Sequence, residues 1–488
     1  MKRIIFIIVI TISTLPLFSQ NETDALRYSM ISNNGTARFV GMGASFSAIG
    51  GNFSSLSVNP AGIGLFRKSE FTFTPSFYKG KIKSDFNDEN YNDYKYNFNL
   101  GNIGIVLAIP GTGLNSEAPG WRYLQLGFGI NRQNNFNNRM IIEGYNSSSS
   151  IIKQYVDYAN NDALSPDELF FEDTRLAYDT RLIKNKTGKP NEYTSSLYNG
   201  EVLHRQTVNY SGSSNEFVFS AGANYNDKLY IGATVGLPYI RYKEKSEHYE
   251  SDLYNKIDSV KNFYITDKLD ESGQGINIKA GLIYKLNEII RLGAAIHSPT
   301  FYKITYNFKR TIESNLDNGK YLKSSSSDYV QNNEIDYHLE TPMKAIGSIG
   351  FVFGKYGLLN LEYQFSDYSE MKLREGSNDN DYVEVNSSIG KIYSAQHTIN
   401  AGAEVNIENI ALRAGYAFGT SPYTDVNLLE QQTISIGLGF REKDYFFDIA
   451  YNYGFYKQDY YMYNPYLVNP SKNSYNFQSL MFTLGVKF

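Results

Sequence analysis

The chain contains no cysteine among its 488 residues. Disulfides and thiolate metal sites are therefore excluded, and so is lipid attachment through an N-terminal cysteine. Tryptophan is nearly absent, with one residue against 42 Tyr and 31 Phe. Beyond the N-terminus no run approaches the roughly 18 apolar residues of a membrane helix, and mean hydropathy is -0.39. A helical membrane bundle is thereby excluded. The formal net charge is -4 and the isoelectric point about 5.9, which leaves no basic footprint for nucleic acid. Linkers and internal repeats are missing too, and this argues against a string of secreted β-sandwich domains.

What the chain does have is alternation. Counting back from the C-terminus, Phe488, Val486, Leu484, Phe482 and Leu480 share one parity, and Lys487, Gly485, Thr483, Met481 and Ser479 the other. In a strand these sets point to opposite faces, one wholly apolar and one mixed. An apolar face toward lipid and a mixed face toward a lumen is the pattern of an outer-membrane β-barrel wall. The terminal aromatic, Phe488, marks this strand as the segment offered to a barrel assembly machinery. The Tyr and Phe load suits aromatic girdles at the two membrane interfaces.

Similar alternation recurs at 70–80, 97–109, 121–133, 215–226, 228–249, 273–287, 290–310, 334–354, 357–373, 395–407, 409–420, 430–441, 444–457 and 474–488. These spans predict fourteen strands, an even number, as a single-chain bacterial barrel requires. The links between them alternate. Short ones lie at Asn226-Asp227-Lys228, Asn287-Glu288, Gly354-Lys355-Tyr356-Gly357, Glu408-Asn409 and Glu442-Lys443, and long polar ones at 81–96, 134–214, 250–272, 311–333, 374–394 and 458–473. Short turns face the periplasm in such barrels and long loops the exterior. The link of about 80 residues after Asn134 exceeds any bare connector and is expected to carry structure or function.

The N-terminus sets the compartment. Lys2 and Arg3 precede an apolar run from Ile4 to Leu17, which reads as a signal peptide over residues 1–20. Residues 21–69 then form a turn-rich unit before the first strand, and 70–488 the barrel. Within that unit Asn59 precedes Pro60, Ala61 and Gly62. Asparagine before proline reads as a helix N-cap followed by proline at the first helical position.

Gly41-Met42-Gly43-Ala44, Ser54-Ser55-Leu56 and Asn59-Pro60-Ala61-Gly62 together resemble the N-terminal hatch of FadL/TodX-type outer-membrane transporters. Gly293 to Pro299, Thr341-Pro342, and Leu412 to Tyr416 with Ser421-Pro422 resemble barrel segments of the same family, in the same order. The resemblance implies an all-β fold, a fourteen-stranded antiparallel transmembrane barrel with a small hatch, in the outer membrane of a Gram-negative bacterium. It also implies passive uptake of hydrophobic compounds such as long-chain fatty acids or aromatic hydrocarbons, released sideways through the wall into outer-membrane lipid. The family kinks its third strand, and Gly127 and Gly129 are the corresponding wall-kink positions here, because glycine weakens strands.

No enzyme is expected. The five histidines, His204, His248, His297, His338 and His397, sit in no local catalytic pattern. No metal-ligand spacing appears either, so neither a metal nor a cofactor is assigned, and the ligand-binding residues stay unknown. His297 shares parity with Arg291, Gly293 and Ala295 and is expected in the lumen. Arg413 and Glu404 are expected in a polar network around the hatch. The alternative function is a structural or adhesive surface barrel whose long loops bind an external partner. An apolar pocket in the lumen would favour transport over that reading.

Overall fold

In the computed structural model all fourteen predicted strands are present and close into one antiparallel ring. The structure describes residues 22–32, 34–111, 119–146, 148–161, 163–252, 259–330, 334–374, 382–425 and 429–488. The expected signal peptide lies outside them. In order, the barrel strands are Glu70–Phe86, Glu89–Pro110, Trp121–Asn135 continued by Asn138–Asn146, Val202–Tyr225, Leu229–Ser251, Val260–Lys285, and Ile290–His297 continued by Phe301–Leu316. The second seven are Glu334–Glu340 with Lys344–Val352, Gly357–Asp367 with Lys372–Arg374, Ala395–Ile407, Ile410–Gly419, Gln431–Arg441, Tyr445–Tyr460 and Ser471–Lys487. The first strand pairs with the fourteenth from Glu70↔Lys487 to Asp85↔Lys472. The Phe488 amide adds one more bond, donating to the Ser69 carbonyl at 3.0 Å.

The wall follows the parity of the sequence. Leu484 is 53% exposed and Thr483 fully buried, and Ile434, Ile436 and Leu438 face outward on the twelfth strand around a buried Ser435. The short turns carry residues that tolerate a left-handed backbone. Asn226 and Asp227 both have φ near 55°, as a two-residue turn matched to the twist of its strands requires.

The long links differ from expectation. The stretch 81–96 is not a loop, because the first two strands run on to a turn at Asn87-Asp88. The third strand likewise resumes at Asn138 and the fourth begins at Val202, within the link drawn from 134 to 214. The reason is physical. Beyond the membrane both faces of a strand meet water or polar packing, so the apolar contrast that marks a wall strand is lost while the backbone ladder continues. The rest of that link forms a cap of two helices, Ile151–Asn161 and Thr174–Asp179, and a hairpin, Lys184–Lys186 with Lys189–Thr194. Ile152, Tyr155 and Leu176 of the cap share one apolar core with Phe86, Ile142, Phe263 and Ile312 of the strand extensions. Proline marks the level where wall gives way to extension. The seventh strand is interrupted at Ser298-Pro299-Thr300 and the eighth at Thr341-Pro342-Met343, where a missing N–H breaks the ladder.

The N-terminal segment fills the lumen without contributing a strand. Helices Glu22–Ser29 and Ala37–Gly41 and two 3-10 turns, Phe53–Ser57 and Pro60–Leu65, pack against the inner face of the wall. Gly43 has φ 62°, and a Cβ there would lie 2.8 Å from the Tyr416 amide nitrogen. Only glycine allows that turn so close to the wall.

An arginine at Ile436, in the middle of the apolar belt, should cost about 2–4 kcal/mol of barrel stability, with a smaller cost at Leu484 nearer the short turns. Thr433→Arg, on the lumen face of the same strand, should cost less than Ile436→Arg. Urea titration of the three variants refolded into lipid vesicles measures all three losses.

Candidate functional site

The floor of the lumen is built on Asn59. Its Oδ1 accepts from the Ala61 amide at 3.1 Å, capping the turn that Pro60 begins. Its Nδ2 donates to the Ser47 carbonyl at 2.6 Å and to the Leu282 carbonyl of the sixth strand at 3.2 Å. One side chain thus caps the turn, ties two parts of the hatch together and anchors both to the wall. Ala61 and Gly62 are buried in the same turn, and a Cβ on Gly232 of the wall would strike the Pro60 carbonyl. His297 faces the lumen as expected, with Nε2 2.7 Å from the Val58 carbonyl.

A chain of charges fixes the other side of the hatch. Arg38 donates twice to Glu404, at 2.8 Å each. Arg413 donates to Glu404 at 2.6 Å and to Asp448 at 2.8 Å, and Arg441 reaches Asp448 at 3.0 Å. Glu404, Arg413 and Asp448 are each paired with two partners, which is how ions persist away from water. Around Arg38, Glu404 and Arg441, joined by Glu70 and Lys487, lies a polar recess of about 290 Å³ beside the short turns.

Above the hatch sits a cavity of about 460 Å³, within the usual range for small-molecule sites. Val40, Gly43 and Ala44 of the hatch form its floor, and Tyr210, Tyr242, Tyr456 and Phe477 are among its aromatic walls. Leu26 of the first helix and Met30 just after it close it from the side. That helix is held by Arg27, which pairs with Asp24 and lies 4.3 Å over the Tyr242 ring. Burial opposes the Arg27 charge, but Tyr242, Asp24 and Tyr28 outweigh it and hold the guanidinium protonated. Lys344, at the deep end, is a further cation on the lining.

The cavity reaches Asn134, Asn135, Phe136 and Asn138, and there the backbone ladder of the wall parts. The second and third strands pair only from Pro110↔Tyr123 to Asn102↔Asn131. Beyond that level Glu89–Gly101 bonds only to the first strand, and Asn138–Asn146 only to the fourth. Register shifts at the end of the paired part of the third strand, and its continuation passes inside the first hairpin, where a Cβ on Gly80 would collide with Asn138. Side chains alone bridge the parted edges. Arg132 donates to the Leu100 carbonyl at 3.1 Å and Asn135 to Asn97 at 3.2 Å.

Gly127 and Gly129 do not sit at this break. Both neighbouring ladders run through them without a shift. They face the hatch instead: a Cβ on Gly127 would lie 2.9 Å from Leu56 and one on Gly129 2.5 Å from Phe53. The break falls at 132–137, in the run Arg132-Gln133-Asn134-Asn135-Phe136-Asn137-Asn138. Asparagine is disfavoured in strands and favoured in turns, so that run was the signal available in the sequence.

A fourteen-stranded ring with a plugged lumen and a parted third strand invites comparison with solved barrels. The chain is similar to the crystal structure of a Pseudomonas aeruginosa FadL homologue, at 12% identity over 94% of this chain and 100% of that one, with TM-score 0.56. The fold is that of the FadL/TodX-type channels. The toluene transporters TodX of P. putida (12% identity, 94% and 99% covered, TM-score 0.54) and TbuX of Ralstonia pickettii (14%, 93% and 99%, 0.51) agree with this. No family model and no curated protein matches the chain. With the fold comes the setting, a β-barrel of the Gram-negative outer membrane.

Two substitutions probe the hatch. Asn59→Ala removes a cap and two tethers, and should cost about 1 kcal/mol or more locally while the barrel still assembles. Faster proteolysis of the hatch with an unchanged heat-modifiable gel shift is the expected outcome. Glu404→Leu strands the buried Arg38 charge and should destabilise by about 3–5 kcal/mol, read from urea unfolding in detergent micelles.

Proposed function

We propose that this barrel carries hydrophobic compounds, long-chain or aromatic, from the exterior into the outer membrane, leaving through the gap between its second and third strands. The observation that carries this reading is the tyrosine-walled cavity ending at Asn134–Phe136, where the ladder parts. An apolar molecule gains about 25 cal/mol per Å² on leaving water, so a shielded chamber beside a lipid exit suits it. The straight route down is unsuited. It leads through the hatch into the recess lined by Arg38, Glu70, Glu404, Arg441 and Lys487, where an apolar solute would displace the partners of charges. Residues 21–69 act in this reading as the hatch that turns the ligand sideways, with Asn59 to Gly62 shaping the chamber's lower boundary. The similarity to a FadL homologue and to toluene transporters supports the substrate class. The strand ending at Phe488 serves as the handle for the assembly machinery.

The competing reading, an adhesive or structural barrel, gives no reason for a chamber of this size beneath the cap. Uptake separates the two. Cells carrying the barrel should accumulate a labelled fatty acid or alkylbenzene faster than cells without it, with no matching gain for sugars, because the hatch blocks the aqueous route. Thr433→Trp, which fills the chamber from the twelfth strand, should lower that uptake about tenfold while leaving assembly intact. Sugar flux without hydrophobic uptake would establish a porin and overturn the proposal.

A further inference from the structure

The insert that caps the barrel is joined to it through a buried cluster outside the transport path. His204 on the fourth strand, and His248 and Glu250 on the fifth, bring one donor atom each to within 4.8 Å of one another. His204 and Glu250 are fully buried and His248 is 4% exposed. The carboxylate lies 2.9 Å from His248 Nε2 and 3.4 Å from His204 Nδ1.

The hydrogen bonds around the cluster decide which atoms carry protons. His204 Nε2 lies 3.2 Å from the Ser149 carbonyl, an acceptor only, so this nitrogen holds the hydrogen and Nδ1 a lone pair. His204 Nδ1 has no hydrogen-bond partner although it is buried. His248 Nδ1 lies 2.8 Å from Gln206 Oε1, and the Gln206 amide nitrogen is engaged by Ser246. Nδ1 of His248 therefore carries a proton, and its Nε2 faces Glu250 at 2.9 Å. His204 Nδ1, His248 Nε2 and one Glu250 oxygen converge on one point, with His248 Nε2 within hydrogen-bond distance of that oxygen. In a low-dielectric interior such an arrangement holds together around a positive charge, supplied by a proton on His248 or by a bound cation.

We propose that His204 Nδ1, His248 Nε2 and Glu250 bind a divalent metal ion of the zinc class. Two neutral imidazoles and a carboxylate are a donor set that zinc accepts, with water completing the shell. For bond lengths of about 2.0–2.1 Å, tetrahedral ligands stand about 3.3 Å apart, close to the 2.9 and 3.4 Å separations from Glu250. The second shell is in place as well: each imidazole donates its other N–H to an oxygen, which orients a metal-bound histidine. Ser150 and the Ile151 amide also bond to Glu250, so the ion would staple the first turn of the cap to the strand extensions. Burial means that the ion enters as the cap folds, and it would stabilise only the folded state.

The test uses the full-length protein, stripped with chelator and refolded in detergent with Zn²⁺, Mg²⁺ or Ca²⁺ present. About one equivalent of zinc should survive gel filtration, with neither hard cation retained. His204→Gln and His248→Gln should each weaken zinc binding about tenfold or more, and Gln206→Leu about 10–100-fold, with the heat-modifiable barrel kept. Since a histidine variant can also loosen the cap, cobalt in the wild-type protein supplies a second readout. Its visible bands should be those of a four-coordinate nitrogen and oxygen site, and Gln206→Leu should shift them. Failure of the wild-type protein to retain zinc overturns the proposal, as does equal retention by the His204→Gln/His248→Gln double variant. A nitrogen NMR spectrum showing His248 doubly protonated, or protonated on Nε2, in the zinc-treated protein overturns it too, because a proton would then fill the site.

Discussion

Closure of the ladder is the constraint on which the rest of this molecule depends. In hydrocarbon each unpaired backbone group costs several kcal/mol, so a sheet can cross the membrane only as a ring without edges. Pairing of the first strand with the fourteenth meets that demand, and everything inside is then arranged against a wall that cannot be opened at will. The parted edges of the second and third strands are the exception that shows the cost. Arg132 and Asn135 supply side-chain bonds where the backbone ladder is missing, so the gap is bridged rather than left bare.

The interior divides its tasks by polarity. Charges and amides on wall strands hold the hatch: Glu404 takes Arg38, Glu362 accepts from the Ser47 amide, and Gln125 donates to the Gly64 and Phe66 carbonyls. Each leaves few buried polar groups on the hatch unmet, as an irregular segment enclosed by a barrel requires. Tyrosines dominate the chamber above, offering apolar faces with hydroxyls that find partners at the rim. A charged recess below and a chamber of tyrosines interleaved with amides above therefore share one lumen.

The wall was legible in the sequence because lipid enforces a contrast of period two. All fourteen strands, and the outward parity of Leu484 and Ile436, follow from it. The extensions were hidden because that contrast ends at the interface, so Lys81–Tyr96 read as a loop although its ladder continues. The wall break was misplaced for a different reason. Glycine weakens a strand, but at 127 and 129 its smallness serves the approach of Leu56 and Phe53, and the turn-forming asparagines at 134–138 part the wall. The histidine cluster could not be read from spacing, since His204 and His248 are brought together only by pairing of the fourth and fifth strands, in which Gln206 stands opposite His248.

The hatch contacts also dictate a chronology. Thr483 accepts from the Ala37 amide, Asp448 and Arg413 complete the network around Arg38, and Gly43 lies against Tyr416. These partners stand on the eleventh, thirteenth and fourteenth strands, some 400 residues downstream. The hatch therefore emerges first. Its second half can seat on the third to sixth strands, but the part around Ala37, Arg38 and Gly43 has no seat until the last third of the wall is in place. Contacts at such sequence separation carry a loop-closure penalty before any of them is rewarded. Final seating of this first half of the hatch and sealing of the barrel belong in consequence to one late event.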